Sequence, residues 1–290
     1  MILIGESINV MSKTLGPAIK GRDPRPIQKM AEAQAAQGMD YLDLNIGPAR
    51  KAGPETMAWI VKTVQEVVDL PLFLDTTNVE AIEAGIQVHK GSAVINSVSC
   101  RPERMEALFP IARKYNASFV GLLLGVDGVP RDAAERGALA ADMMARAFEA
   151  EIPMDRIFFD PIVLPVSSQQ DQVQGCTEFM SMFRELAPEC RSVCGLSNVS
   201  NGTPEELRGI INRTYMILLM KHGLDAAIVN AFDRELIDIA RGRRDDLVQV
   251  VHRTMDGLEV EAKSQDETDY VKTTRLLCGE SLYSHSWLKL

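Results

Sequence analysis

Eight short apolar runs recur along the chain, and segments with helical periodicity separate them. The runs are ILIGE (2–6), YLDLNIG (41–47), LFLDTTN (72–78), AVINSVS (93–99), SFVGLLLG (118–125), RIFFDPIV (156–163), SVCGLSNVS (192–200) and AAIVNAF (226–232). Runs of this length between turn signals read as strands buried on both faces. Strands that alternate with helices long enough to cross back form a parallel sheet. Eight such units predict an α/β fold, a (β/α)8 TIM barrel, for which about 250 residues is typical. A doubly wound open sheet is the runner-up. It would normally carry a Gly-rich phosphate loop after its first strand, but that strand leads here into GESINVMSKTLG (5–16).

The helical signal covers residues 24–38, 54–69, 79–89, 102–115, 132–150 and 204–222. Pro24, Pro26 and Pro54 stand at starts, and Asn116 and Gly223 at stops. Thr203 is a candidate N-cap, with Pro204 at the first helical position. Residues 167–188 read as helical only in their second half, with SSQQDQVQG (167–175) as a polar loop. Beyond residue 241 an amphipathic helix is expected over 244–262 and a polar linker over 263–269. The chain thus divides into a barrel, residues 1–243, and a helical C-terminal extension, residues 244–290, packed on the barrel or at a subunit interface.

A formal net charge of −9 argues against nucleic acid, which needs a basic footprint. The five cysteines form no CxxC pair, as expected of reduced thiols in a cytoplasm. The start, MILIGESINV, carries Glu6 and no basic stretch, so it reads as a strand and not a signal peptide. No apolar run approaches the roughly 20 residues that span a bilayer.

Several strands turn polar at their carboxyl ends, where the pocket of a parallel α/β protein lies. Asp75, Asn96, Asp160 and the pair Ser197–Asn198 stand there. Carboxylates and carboxamides converging from separate strands make a hydrogen-bonding socket. Glu6 and Asn9 end the first strand, and Asp43 and Asn45 the second, as supporting contacts or loop caps. The four histidines (89, 222, 252 and 285) fall in helices or the tail and read as packing residues. Nothing suggests a protein-bound metal, and no lysine is placed for a Schiff base.

The segments ILIGESIN, DYLDLNIGPA, LDTTNVEAIEAG, INSVS, FFDPIVLP, GLSNVSNG, INRTYM and HGLDAAIVNA together resemble the pterin-binding, corrinoid-dependent methyltransferases. The resemblance runs from residue 1 to about residue 240. It implies methyl transfer between N5 of tetrahydrofolate and the cobalt of a corrinoid protein, with tetrahydrofolate or 5-methyltetrahydrofolate as substrate. It assigns the pterin to Asp75, Asn96, Asp160, Ser197 and Asn198, with Asn198 beside N5 as the catalytic contact. Asn201 and Arg208 would approach the p-aminobenzoyl-glutamate tail, and Arg213 would be structural. A corrinoid protein docking transiently at the open end of the barrel and a homodimer follow from the same resemblance. The long tail and the strand-seven loop favour an anaerobic demethylation pathway over the reverse direction in acetyl-CoA synthesis. Alternatives are a non-catalytic folate-binding subunit and a dihydropteroate synthase-like enzyme. That last branch carries a Ser-Arg-Lys signature where this chain has Ser197-Asn198-Val199.

Overall fold

The computed structural model describes residues 1–289. Eight parallel strands close into a barrel in chain order: β1 (Ile2–Asn9), β2 (Tyr41–Asn45), β3 (Leu72–Asp75), β4 (Val94–Ser99), β5 (Ser118–Leu122), β6 (Ile157–Asp160), β7 (Arg191–Gly195) and β8 (Ala226–Val229). The helices are α1 (Leu15–Gly21), α2 (Pro24–Ala36), α3 (Gly53–Gln65), α4 (Val79–Val88), α5 (Pro102–Lys114), α6 (Ala133–Glu149), α7 (Gln170–Leu186), α8 (Glu205–Lys221), α9 (Arg234–Ala240), α10 (Asp245–Met255) and α11 (Gln265–Leu277).

The barrel interior is filled, not hollow. Ile4, Phe73, Val94, Val120, Phe158, Val193 and Ala226 pack into one apolar plug, each at most 2% exposed. Phe73 meets Phe158 edge-on at 6.1 Å and Tyr41 at 5.5 Å. The Arg191 guanidinium lies over the Phe158 ring at 5.4 Å. Strand side chains alternate faces, so residues two beyond the plug also point inward. Glu6, Asp75, Asn96 and Asp160 occupy those positions, as does Asp43 beyond Tyr41, with Asn45 two residues further along the same face. A ring of polar groups therefore sits directly on an apolar floor.

Side-chain caps start several helices. Asn78 accepts from the Ala81 N–H at 3.0 Å, Asp132 from Glu135 at 2.9 Å and Ser264 from Glu267 at 3.1 Å. Asn116 and Gly223 take left-handed conformations where helices stop.

Four local expectations are corrected. The segment α1 is an extra helix within the β1–α2 connection. Helix α7 begins at Gln170, because Gln170 and Gln172 are half-buried and held by distant polar partners. Pro204, not Thr203, precedes α8; the Thr203 hydroxyl instead donates to the Ser200 carbonyl at 2.7 Å. Residues 263–269 are mostly helix, since Ser264 caps α11.

Helices α10 and α11 pack on α8. The chain then returns to α7, where Gln170 donates to the Leu276 and Ser281 carbonyls at 2.7 Å each and accepts from the Tyr283 N–H at 3.1 Å. Trp287 is buried and donates to Thr273 at 3.1 Å.

Removing a plug aromatic leaves a cavity that the surrounding strands cannot collapse into. Phe158→Ala is expected to lower stability by about 3–5 kcal/mol. Chemical denaturation checks this, and a loss below about 1 kcal/mol would count against a packed interior.

Candidate functional site

The mouth of the barrel carries four carboxyls and several carboxamides in a tight set. Asn96 Nδ2 donates to Asp43 Oδ1 at 3.0 Å, and Asn45 Nδ2 donates to Asp75. Asp160 Oδ1 accepts from the Ile162 N–H at 2.8 Å. Ser197 Oγ reaches across β8 to donate to Glu6 Oε1 at 2.8 Å. Each acid is thus paired with a neutral donor. No cation neutralises it directly.

Burial disfavours the charged form, and this shapes the electrostatics. It raises Asp160 to about 6, against the Ile162 and Gly195 N–H groups, which favour the anion. It raises Asp75 to about 6, against the Asn45 amide. Asp43 is raised well above the carboxylate range, first by burial and then by the neighbouring Asp75 charge. Glu6 is raised by burial, while Ser197 and the field of Arg208 pull it down.

The structure brings together the residues expected of the site. Asp75, Asn96 and Asp160 point into the mouth. Ser197 and Asn198 lie on a one-turn helix (Leu196–Ser200) just past β7, and not on the strand itself. Asn198 is exposed, and its Oδ1 accepts from Asn201 Nδ2 at 3.2 Å. Its Nδ2 lies only 3.0 Å from where a Cβ on Gly195 would sit. Gly195 points inward, so the absent side chain lets that carboxamide lean over the mouth. Arg208 donates to Ser200 Oγ at 3.2 Å and lies 3.5 Å from Asn201 Oδ1. Asn198, Asn201 and Arg208 therefore form a polar track leading outward. Arg213 stands apart, paired with Asp233 and Glu235, in a structural role.

Sequence reasoning gave Glu6, Asp43 and Asn45 only supporting or capping roles. The missed signal was spacing: Glu6 and Asp43 stand two residues beyond the inward Ile4 and Tyr41, and Asn45 two residues beyond Asp43. Beside Asp75 and Asn96 opens a cleft of about 340 Å³ that also includes Thr76, Ser97, Arg101 and Arg104. Arg104 is pinned to the Thr77 and Ser97 carbonyls at 2.8 and 2.9 Å. Nothing in its spacing signals that role. A larger groove of about 740 Å³, lined by Met105, Phe109 and Arg146, lies on the flank between α5 and α6 and contains none of the mouth residues. Among the described residues, no three His, Cys, Asp or Glu side chains are grouped as metal ligands.

A family profile described as "Pterin binding enzyme" matches residues 8–230. The chain is 29% identical over 239 residues to a methylcorrinoid:tetrahydrofolate methyltransferase of Eubacterium limosum, covering 82% of this chain and 88% of that protein. It is 26% identical over 243 residues to methionine synthase of Mycobacterium leprae (strain TN), covering 80% of this chain but only 20% of that longer protein. Among solved structures, dihydropteroate synthase from Thermus thermophilus superposes with a TM-score of 0.63 at 19% identity, over 85% of this chain and 94% of that one. At that identity the likeness speaks for the fold alone.

An acid whose folded pKa is raised makes the folded state bind more protons, so its cost grows as pH rises. Asp160 costs little near pH 4 and its full amount above about 7. Asp160→Asn is therefore expected to gain stability over the native chain as pH rises through that window, reaching on the order of 2 kcal/mol at neutral pH. Denaturation at intervals from pH 4 to 8 reads the difference, and a flat difference would contradict the assigned burial.

Proposed function

The chain belongs to the family of pterin binding enzymes, and from that premise we propose that it is a methyltransferase moving a methyl group between N5 of tetrahydrofolate and the cobalt of a corrinoid protein. The observation that carries this reading is the ring of inward acids and amides at the mouth of a pterin-binding barrel. The Eubacterium limosum relative supports the reaction class. Its name places methylcorrinoid as the donor, and we infer the same direction here, within a demethylation pathway.

A pterin edge presents the 2-amino group and N3–H side by side. The Asp160 carboxylate accepts both in a charge-assisted pair. Asp75 and Asn96 complete the edge, with the Asn96 amide offering one donor and one acceptor. Asn198 leans over the mouth from the side of β7 and is assigned to N5, and Ser197 holds Glu6 beneath it. Asn201 and Arg208 receive the p-aminobenzoyl-glutamate portion along the outward track.

In the direction from methylcorrinoid, the methyl–cobalt bond breaks and its electron pair stays on cobalt. The N5 lone pair forms the new bond, and N5 loses its proton. In reverse, cobalt(I) attacks the methyl group and N5 takes up a proton as its bond breaks. Asp43 and Asp75, both raised by burial, are the acids we assign to proton exchange at the mouth. Hydrogen bonds that strengthen as N5 changes protonation lower the barrier.

The corrinoid partner must reach this mouth. Met11, Val126, Val129, Phe232 and Leu282 are exposed large apolar side chains on loops at the carboxyl ends of the strands or beside α7. We assign them to a transient docking rim. The extension, over its described residues 244–289, is read as part of the barrel's outer layer, because α10 and α11 pack on α8. A homodimer and a cytoplasmic setting belong to the same reading, the latter supported by five free cysteines. No helix among the described residues is long and apolar enough to cross a membrane.

The purified chain, supplied with a methylated corrinoid protein and tetrahydrofolate, is expected to yield cobalt(I) and 5-methyltetrahydrofolate. Asn198→Ala should cost about 100-fold in kcat/KM, the scale of losing one transition-state donor. Folate binding without any cobalt signal would favour a non-catalytic carrier, and a rate within about twofold of native in Asn198→Ala would remove that residue from the chemistry.

The docking rim has its own test. Met11→Glu with Phe232→Glu should raise KM for the corrinoid protein about tenfold or more, with calorimetric affinity for tetrahydrofolate unchanged. An unchanged KM would place docking elsewhere.

A further inference from the structure

Helix α6 buries one face made of Ala133, Arg136, Ala140, Met143 and Ala147. Arg136 is the single charge on that face and is 0% exposed. A buried guanidinium is costly unless its donors are used and its charge is compensated. Each of its three nitrogens donates. Nε donates to the Pro161 carbonyl at 2.9 Å, Nη1 to the Asp132 carbonyl at 3.1 Å and Nη2 to Gln172 Oε1 at 2.8 Å. All three acceptors are neutral.

The compensation lies one peptide group away. The peptide between Pro161 and Ile162 takes Arg136 on its oxygen, and its N–H donates to Asp160 Oδ1 at 2.8 Å. The cation and the carboxylate thus sit at opposite ends of a single peptide dipole, each favouring the same polarisation. Ile162 holds a left-handed φ of 65°, a strained choice for a β-branched residue that persists where surrounding contacts over-determine it. The two hydrogen bonds of that peptide are such contacts. Helix α7 seals the arrangement. A Cβ on Gly175 would lie 3.3 Å from Arg136 Nη1, and Gln172 Nε2 donates onward to the Arg131 carbonyl at 2.9 Å. The Cys176 thiol is pushed up chiefly by burial, with smaller opposed pulls from Arg136, which lowers it, and Asp160, which raises it.

We infer that Arg136 is a positioning residue for the pterin site, aiming Asp160 and supporting its ionised form through the Pro161–Ile162 peptide; this rests on the folate reading above. Arg136 does not reach the mouth, so its whole effect on ligand passes through Asp160.

The test is a four-variant cycle: the native chain, Arg136→Met, Asp160→Asn and the double variant. Calorimetry reads tetrahydrofolate affinity, and denaturation reads stability. Arg136→Met should weaken tetrahydrofolate binding about tenfold when Asp160 is present, and by less than about twofold in the Asp160→Asn background. A scaffold residue would lose the same factor in both backgrounds, and that result overturns the inference. If Arg136→Met does not fold, Gln172→Leu removes one acceptor while keeping the charge. It should weaken binding about threefold with Asp160 present, with no added loss in Asp160→Asn. Equal losses in the two backgrounds again overturn it. If the native chain binds no tetrahydrofolate, the folate reading fails. The coupling is then decided by stability alone: non-additive losses uphold it and additive losses sink it.

Discussion

The apolar plug governs everything above it. Seven side chains fill the barrel at one level, led by Phe73 and Phe158, and put an apolar floor beneath the next layer. Strand alternation then turns the side chains two residues later inward as well. On β1, β3, β4 and β6 that position holds Glu6, Asp75, Asn96 and Asp160. Acids resting on that floor lose solvation from below, and burial is the leading cause of each raised carboxyl there. The same packing that closes the fold therefore tunes the site.

That tuning is selective. The acids are satisfied by amides, a hydroxyl and backbone N–H groups, so they keep their hydrogen bonds without gaining a counter-ion. A ligand that brings adjacent N–H donors, or a nitrogen that gains positive charge, meets groups already arranged to receive it. On the proposed reading, such a ring would hold N5 more tightly when protonated than when neutral. Preorganisation of this kind favours a changing charge over a static one. On the proposed folate reading, an anionic tail would leave along Asn201 and Arg208, away from the carboxyls.

Much of this was legible in the sequence, for a physical reason. The eight apolar runs coincide with the eight strands because strands buried on both faces need continuous apolar sequence. Asp75, Asn96 and Asp160 stood out because polarity changes abruptly where a strand leaves the barrel. Other features were obscured because their partners are distant in sequence. Gln170 and Gln172 looked like loop residues, yet one is tied to the tail at Leu276 and Ser281 and the other to Arg136. Ser197 read as a strand end, but its bond to Glu6 spans 191 positions and belongs to a turn. The sequence showed where polarity changes, and not which polar groups meet.

Arg136 marks the boundary between those two kinds of information. Its position on the Ala133–Ala140–Met143–Ala147 face is readable from helical period alone, and a lone charge on such a face demands an explanation. The period tells that the guanidinium is inside, but says nothing of what it faces. Only closure of the barrel brings the β6–α7 connection against it, turning the Pro161–Ile162 peptide into a link between helix and site. A charge buried in one layer can thus set the behaviour of a carboxylate in another without touching the ligand. In a barrel whose inward acids come from strand ends, this contact ties one of them to the helical shell.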